Sequence, residues 1–236
     1  MNGARALAAA GKPKARAAII GEPTSLRPVR MHKGIMMQAV RITGQAGHSS
    51  NPALGNSALE AMHTVMGELL TFRQELATRY SNPLFDIAYP TLNLGCIHGG
   101  DSPNRICGRT ELHFDLRMTP NGDNEEARAE VDRRLQAIAQ QHSIDISLDS
   151  LVKHIPPFEQ NADSELVTLA ESLTGHTASA VAFATEAPFL QQLGMETIVM
   201  GPGSIDRAHQ PDEYMELEQM RPCVSLLQSF IERYCL

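Results

Sequence analysis

Between residues 35 and 150 the hydrophobic period changes in a set order, and that order restricts the fold more than any other feature of the chain. Val40 and Ile42 alternate with Arg41 and Thr43, the period-two signature of a half-buried strand. A loop rich in Gly, Ser and Pro runs from Gly44 to Gly55. Leu59, Met62, Met66 and Leu69, joined by Val65, Leu70 and Leu76, then recur at the spacing of an amphipathic helix. Leu92, Leu94 and Cys96 alternate with Thr91 and Asn93. After Gly99-Gly100-Asp101, a further strand places Leu112, Phe114, Leu116 and Met118 on one face and Glu111, His113, Asp115 and Arg117 on the other. These two strands are expected to form an antiparallel hairpin whose loop, Gly99 to Asn104, is longer than a tight turn. Beyond the breaker Thr119-Pro120-Asn121-Gly122, Ala127, Val131, Leu135 and Ile138 stripe a second helix, and Ile144, Ile146 and Leu148 alternate again. The order β-α-β-β-α-β predicts a ferredoxin-like unit with one helix-covered face.

The flanks have a different grammar. Ala15 to Ile20 is a short, mostly apolar run that stops at Gly21-Glu22-Pro23, which predicts a buried strand ending in a tight loop. Glu22 then lies at a strand's C-terminal end, where open α/β sheets bind ligands. After Pro156-Pro157, a helix carries Leu166, Leu169, Ala170 and Leu173, and Pro188 suits the first turn of another ending near Leu193. Thr197 to Met200 predicts a short strand stopped by Gly201-Pro202-Gly203, and Val224, Leu227, Ile231 and Tyr234 fall on a closing helix. The expected class is α/β, with residues 1–34 and 151–236 sharing one domain and residues 35–150 inserted into it. Met1 to Ile20 is rich in Ala, Arg and Lys, but Arg5 and Lys12 hem in Leu7 to Ala10 and leave no apolar core for a targeting peptide.

Composition excludes several classes. Hydrophobic residues at 42% and charged residues at 20% are proportions that form a core, so disorder is not expected. A net charge of −7 opposes binding to polyanions, and no apolar run approaches the roughly 18 residues of a membrane span. The four cysteines lie far apart with no C-x-x-C pair, which fits a reducing cytoplasm.

Few residues stand out for chemistry. Glu22 and His209, each in a loop at a predicted strand end, are a carboxylate and an imidazole of the kind that bind zinc or cobalt. Either also fits a solvated loop. His48, in Gly47-His48-Ser49, is placed to donate a hydrogen bond to a developing oxyanion, or to be held by neighbouring serines. Asn104 and Arg117 suit a substrate carboxylate, although spacing alone favours a pair between Arg117 and Asp115 or Glu111. His113 needs no more than a solvated role. There is no Ser or Cys nucleophile elbow, phosphate-binding glycine loop or H-E-x-x-H helix.

Six segments in order resemble the di-zinc aminoacylase, carboxypeptidase and deacylase family. They are Gly21-Glu22-Pro23-Thr24-Ser25, Gly47-His48-Ser49, Asn104-Arg105-Ile106, Asp115-Leu116-Arg117, Ala184-Thr185-Glu186-Ala187-Pro188, and Gly201-Pro202-Gly203-Ser204 leading to His209. The resemblance implies a zinc-peptidase-like α/β catalytic domain with a ferredoxin-like lid that mediates homodimerisation. It implies that Glu22 and His209 each ligate one of two Zn2+ ions, with Co2+ a possible substitute. His48 would reach into the partner's active site and stabilise the tetrahedral intermediate. Asn104 and Arg117 would hold the carboxylate of a small acylated amino acid, and Thr185, Glu186, Gly201 and Gly203 would line the pocket. The family's remaining ligands, a H-x-D motif, a bridging Asp and a Glu-Glu pair, precede the Gly-Glu-Pro segment. No His, Asp or Glu precedes Glu22 here. The expectation is therefore the C-terminal part of such a hydrolase, inactive alone, or a non-catalytic dimerisation module.

Overall fold

The computed structural model describes residues 1–236. In chain order the elements are α1 (Asn2–Ala9), β1 (Ala17–Ile20), β2 (Val29–His32), β3 (Met36–Thr43), β4 (Gly47–His48), α2 (Ala58–Arg79), β5 (Thr91–Gly99), β6 (Arg105–Ile106) and β7 (Arg109–Arg117). There follow α3 (Asn124–His142), β8 (Asp145–Ser150), β9 (Phe158–Glu159), α4 (Glu165–Thr174), β10 (Ser179–Val181), α5 (Ala187–Gln191), β11 (Glu196–Val199) and α6 (Met220–Cys235). They divide into two compact units. One comprises Met1–Lys33, Leu84–Asp86 and Pro157–Leu236, the other Gly34–Pro83 and Ile87–Pro156.

The second unit, the lid, is a four-stranded antiparallel sheet in the order β5-β7-β3-β8, the ferredoxin-like arrangement of a β-α-β-β-α-β chain. Val40 and Ile42 of β3, Leu112, Phe114 and Leu116 of β7, Met62, Val65 and Leu69 of α2, and Val131 and Leu135 of α3 form one buried cluster. Asp123 starts α3 by accepting from the Glu125 and Glu126 amides at 2.7 and 2.9 Å, and the Ser57 hydroxyl caps α2.

Two lid expectations need correction. Cys96 does not share a face with Leu92 and Leu94. The pairing shifts between Leu94 and Cys96, so Gly95 is the extra residue of a bulge and Cys96 pairs with His113 on the polar face. On α2, Leu59 is exposed, and Phe72, which the expected stripe omits, is buried.

The first unit holds a mixed sheet in the order β1-β11-β2-β10, with β9 added on β2. β1 runs parallel to β11, and β2 runs parallel to β10. All four residues of β1 are half-buried rather than buried as expected, because β1 is an edge strand paired only with β11. In α6 only Phe230 is buried; Val224 and Ile231 are each 55% exposed and Leu217, just before the helix, 74%. β2 has no counterpart in the periodicity reading. Its end carries His32, fully buried, followed by buried Lys33. All four cysteines are free thiols, and no helix is long and apolar enough to cross a membrane.

Candidate functional site

The α/β unit gathers Glu22, Glu186 and His209 into one electrostatic neighbourhood. Glu22 lies two residues beyond the end of β1. Burial raises its carboxyl pKa, the Glu186 carboxylate raises it further, and the His209 imidazole opposes the rise. The loop after β11 fixes the Glu22 backbone. A Cβ on Gly201 would stand 2.6 Å from the Glu22 carbonyl oxygen and 2.7 Å from the Gly21 carbonyl, so only glycine permits this approach. Gly201 O accepts from the Thr24 and Leu26 amides at 3.2 and 2.9 Å, and the Gly201 amide donates to Thr24 Oγ1. Gly203, at φ +86°, donates to Gln219 Oε1 at 2.8 Å and accepts from the Ser25 amide. His209 sits at φ +59°, a left-handed conformation uncommon outside glycine, and its amide donates to Glu213 Oε2 at 3.0 Å. Gly201 and Gly203 thus serve here through their backbones.

Thr185 is fully buried. Its amide donates to His32 Nε2 at 3.3 Å, and its hydroxyl accepts from the Ala187 amide at 3.1 Å where α5 begins. Glu186, half-buried, is the turn residue between them.

The lid brings His48 and Asn104 together. β4 pairs with β6, setting His48 opposite Arg105, and the Ser49 amide donates to the Asn104 carbonyl at 3.0 Å. His48 Nδ1 lies 2.8 Å from Ser50 Oγ, and Asn104 Oδ1 accepts from Ser102 Oγ at 2.6 Å. Arg117 does not join them: its Nε donates to Asp115 Oδ2 at 2.8 Å, the pairing that spacing favoured. On the same polar face Arg41 holds Glu111 through two hydrogen bonds and His113 approaches it at 2.6 Å, which pushes the Glu111 pKa down to about 2. His98 pairs with Glu111 in register, beside the Cys96–His113 pair.

The residues fall short of a complete zinc centre. Nowhere do three or more His, Cys, Asp or Glu side chains stand together as a metal-holding group. A zinc site needs three protein ligands and a water, or four protein ligands. Glu22 and His209 are two donors of the right chemistry.

Residues 30–143 match the model of the peptidase dimerisation domain. Over 235 residues the chain is 48% identical to the acetylornithine deacetylase of Edwardsiella ictaluri and 46% identical to that of Aliivibrio fischeri, in each case over 100% of this chain. It covers 61% and 62% of those proteins, so it spans about three-fifths of the length of the relatives it matches. Among solved structures, the aminopeptidase PepT of Bacillus cereus superposes with a TM-score of 0.73 at 17% identity, over 100% of this chain and 61% of that one. A tripeptidase of Staphylococcus aureus gives 0.72 at 18% identity, over 94% and 58%. At those identities the two structures establish the α/β-plus-lid fold alone.

Proposed function

We propose, because residues 30–143 match the peptidase dimerisation-domain model and the whole chain is similar to acetylornithine deacetylases, that it serves a zinc-dependent amide hydrolase. The reaction is hydrolysis of N-acetyl-L-ornithine to L-ornithine and acetate, a step of arginine biosynthesis in the cytoplasm. Supporting this reading, Glu22 stands just beyond the C-terminal end of β1, and the charges of Glu186 and His209 both act on its carboxyl. In an α/β sheet that end is where ligands bind.

Glu22 and His209 would each hold one of two zinc ions, which would supply Lewis-acid polarisation and an activated water. Thr185, Glu186, Gly201 and Gly203 shape the substrate pocket. Asn104 and Arg117 hold the substrate carboxylate, for which Arg117 exchanges its Asp115 partner. His48 stabilises the oxyanion from the lid of a second copy in a homodimer. One donor per ion does not close a zinc site, so on this reading the remaining ligands are supplied by other residues of the enzyme. The open edge of β1 and the exposed apolar side of α6 support a covering segment of that kind. The same two-donor count supports one other reading, a dimerisation module without catalysis.

The test mixes the purified chain with the separately expressed portion of the Edwardsiella ictaluri relative that the chain does not match, then adds zinc. Release of ornithine from N-acetyl-L-ornithine supports the deacetylase. Preference for succinyl-diaminopimelate or a peptide keeps the fold and changes the substrate. A dimer by light scattering without hydrolysis of any of these supports the non-catalytic module.

A further inference from the structure

The geometry points to His32 as a positioning residue for the Thr185–Glu186 turn, its imidazole anchoring the Thr185 amide and so holding the backbone that carries Glu186. The inference rests on reading the Glu22 neighbourhood as the substrate site.

His32 closes β2 and is fully buried. Its Nδ1 lies 2.9 Å from the Lys33 carbonyl oxygen, and its Nε2 lies 3.3 Å from the Thr185 amide nitrogen. A carbonyl only accepts, so Nδ1 carries the proton. A backbone amide only donates, so Nε2 offers its lone pair. The two partners therefore fix one neutral tautomer. Phe158, itself fully buried, packs against the ring with centroids 5.3 Å apart and planes tilted by 37°. Burial lowers the pKa to about 4, so the imidazole stays neutral near pH 7.

The far end of this bond matters more than the bond itself. Thr185 is 153 residues away in sequence, and it directly precedes Glu186. The Thr185 hydroxyl accepts from the Ala187 amide, and the Glu186 carbonyl accepts from the Phe189 amide at 2.9 Å. Glu186 is thus held on both sides by a backbone that His32 ties to β2. Burying a polar ring purely for packing is unfavourable when an apolar side chain of the same bulk fills the space. The position of its acceptor nitrogen is what distinguishes His32 from such a side chain.

Three variants of the full chain separate positioning from packing. His32→Gln keeps an acceptor oxygen near the place of Nε2. His32→Leu keeps bulk without an acceptor. His32→Asn reaches the Lys33 carbonyl but not Thr185. In the 15N-labelled wild type, a through-hydrogen-bond coupling between His32 Nε2 and the Thr185 nitrogen is expected. Amide exchange at Thr185 and Ala187 is expected to rise at least about tenfold in His32→Leu and His32→Asn and to return toward wild type in His32→Gln. In the complemented enzyme the same two variants raise KM for N-acetyl-L-ornithine about tenfold with kcat little changed, again with rescue by His32→Gln. Absence of the coupling, or equal exchange in Gln and Leu variants, overturns the inference. So does a KM unchanged in His32→Leu when hydrolysis is present. If no variant hydrolyses the substrate, the deacetylase reading falls, and the coupling and exchange still decide whether His32 holds the turn.

Discussion

Gly201 packs against Glu22 so closely that a Cβ there would lie 2.6 Å from the Glu22 carbonyl oxygen, with the Gly21 carbonyl carbon and oxygen both at 2.7 Å. All three are backbone atoms, which cannot rotate aside as a side-chain end would. The substitution Gly201→Ala is therefore expected to destabilise the α/β unit by about 1–3 kcal/mol and to displace Glu22. Gly3→Ala, with nothing within 4 Å of the added Cβ, is the control. Urea denaturation of both variants measures the difference. Equal midpoints would show that the strand end yields more than its geometry allows.

The neutral, buried His32 makes stability depend on pH in a defined direction. Its folded pKa of about 4 lies below the 6.5 of the free side chain. Above pH 6.5 neither folded nor unfolded chain binds this proton, and the full contribution is present. As pH falls through the interval to about 4, the unfolded chain gains the proton first and stability is lost, by roughly 3 kcal/mol in total. Subtracting the pH–stability curve of His32→Gln from that of wild type isolates this slope. Parallel curves between pH 4 and 6.5 would contradict it.

Three influences act on the Glu22 carboxyl. Burial and the Glu186 carboxylate raise its pKa, and His209 lowers it. Glu186→Gln is expected to lower the Glu22 pKa while leaving the part due to burial, and His209→Gln to raise it. Carbon-detected NMR of the Glu22 carboxyl reads both shifts. Movement in the reverse sense in either variant would separate these residues in space.

The lid was the most legible part of the chain, because its sheet has one wet and one dry face. On β7 the alternation places Leu112, Phe114 and Leu116 in the core, and on α3 the stripe Ala127, Val131, Leu135 and Ile138 is buried. Alternation fails where the backbone breaks its own period. The Gly95 bulge turns Cys96 outward, and no pattern of side chains announces an extra backbone residue. In the α/β unit the strands are too short for periodicity, and β2 mixes Arg30 and His32 with Val29 and Met31. The partner that makes a buried histidine acceptable, Thr185, is a tertiary contact with no local trace. Glu22 and His209 were identifiable through their motifs. The proximity of Glu186 to Glu22 depends on how β1 and the turn before α5 come together.

The most direct test of the deacetylase account is zinc-dependent release of ornithine from N-acetyl-L-ornithine by the complemented enzyme, compared between wild type, Glu22→Gln and His209→Gln. Hydrolysis by the wild type is expected to require added zinc and to fall at least about a hundredfold in both variants, as when a metal ligand of a hydrolytic site is removed. Hydrolysis that proceeds at the wild-type rate in both variants would contradict it.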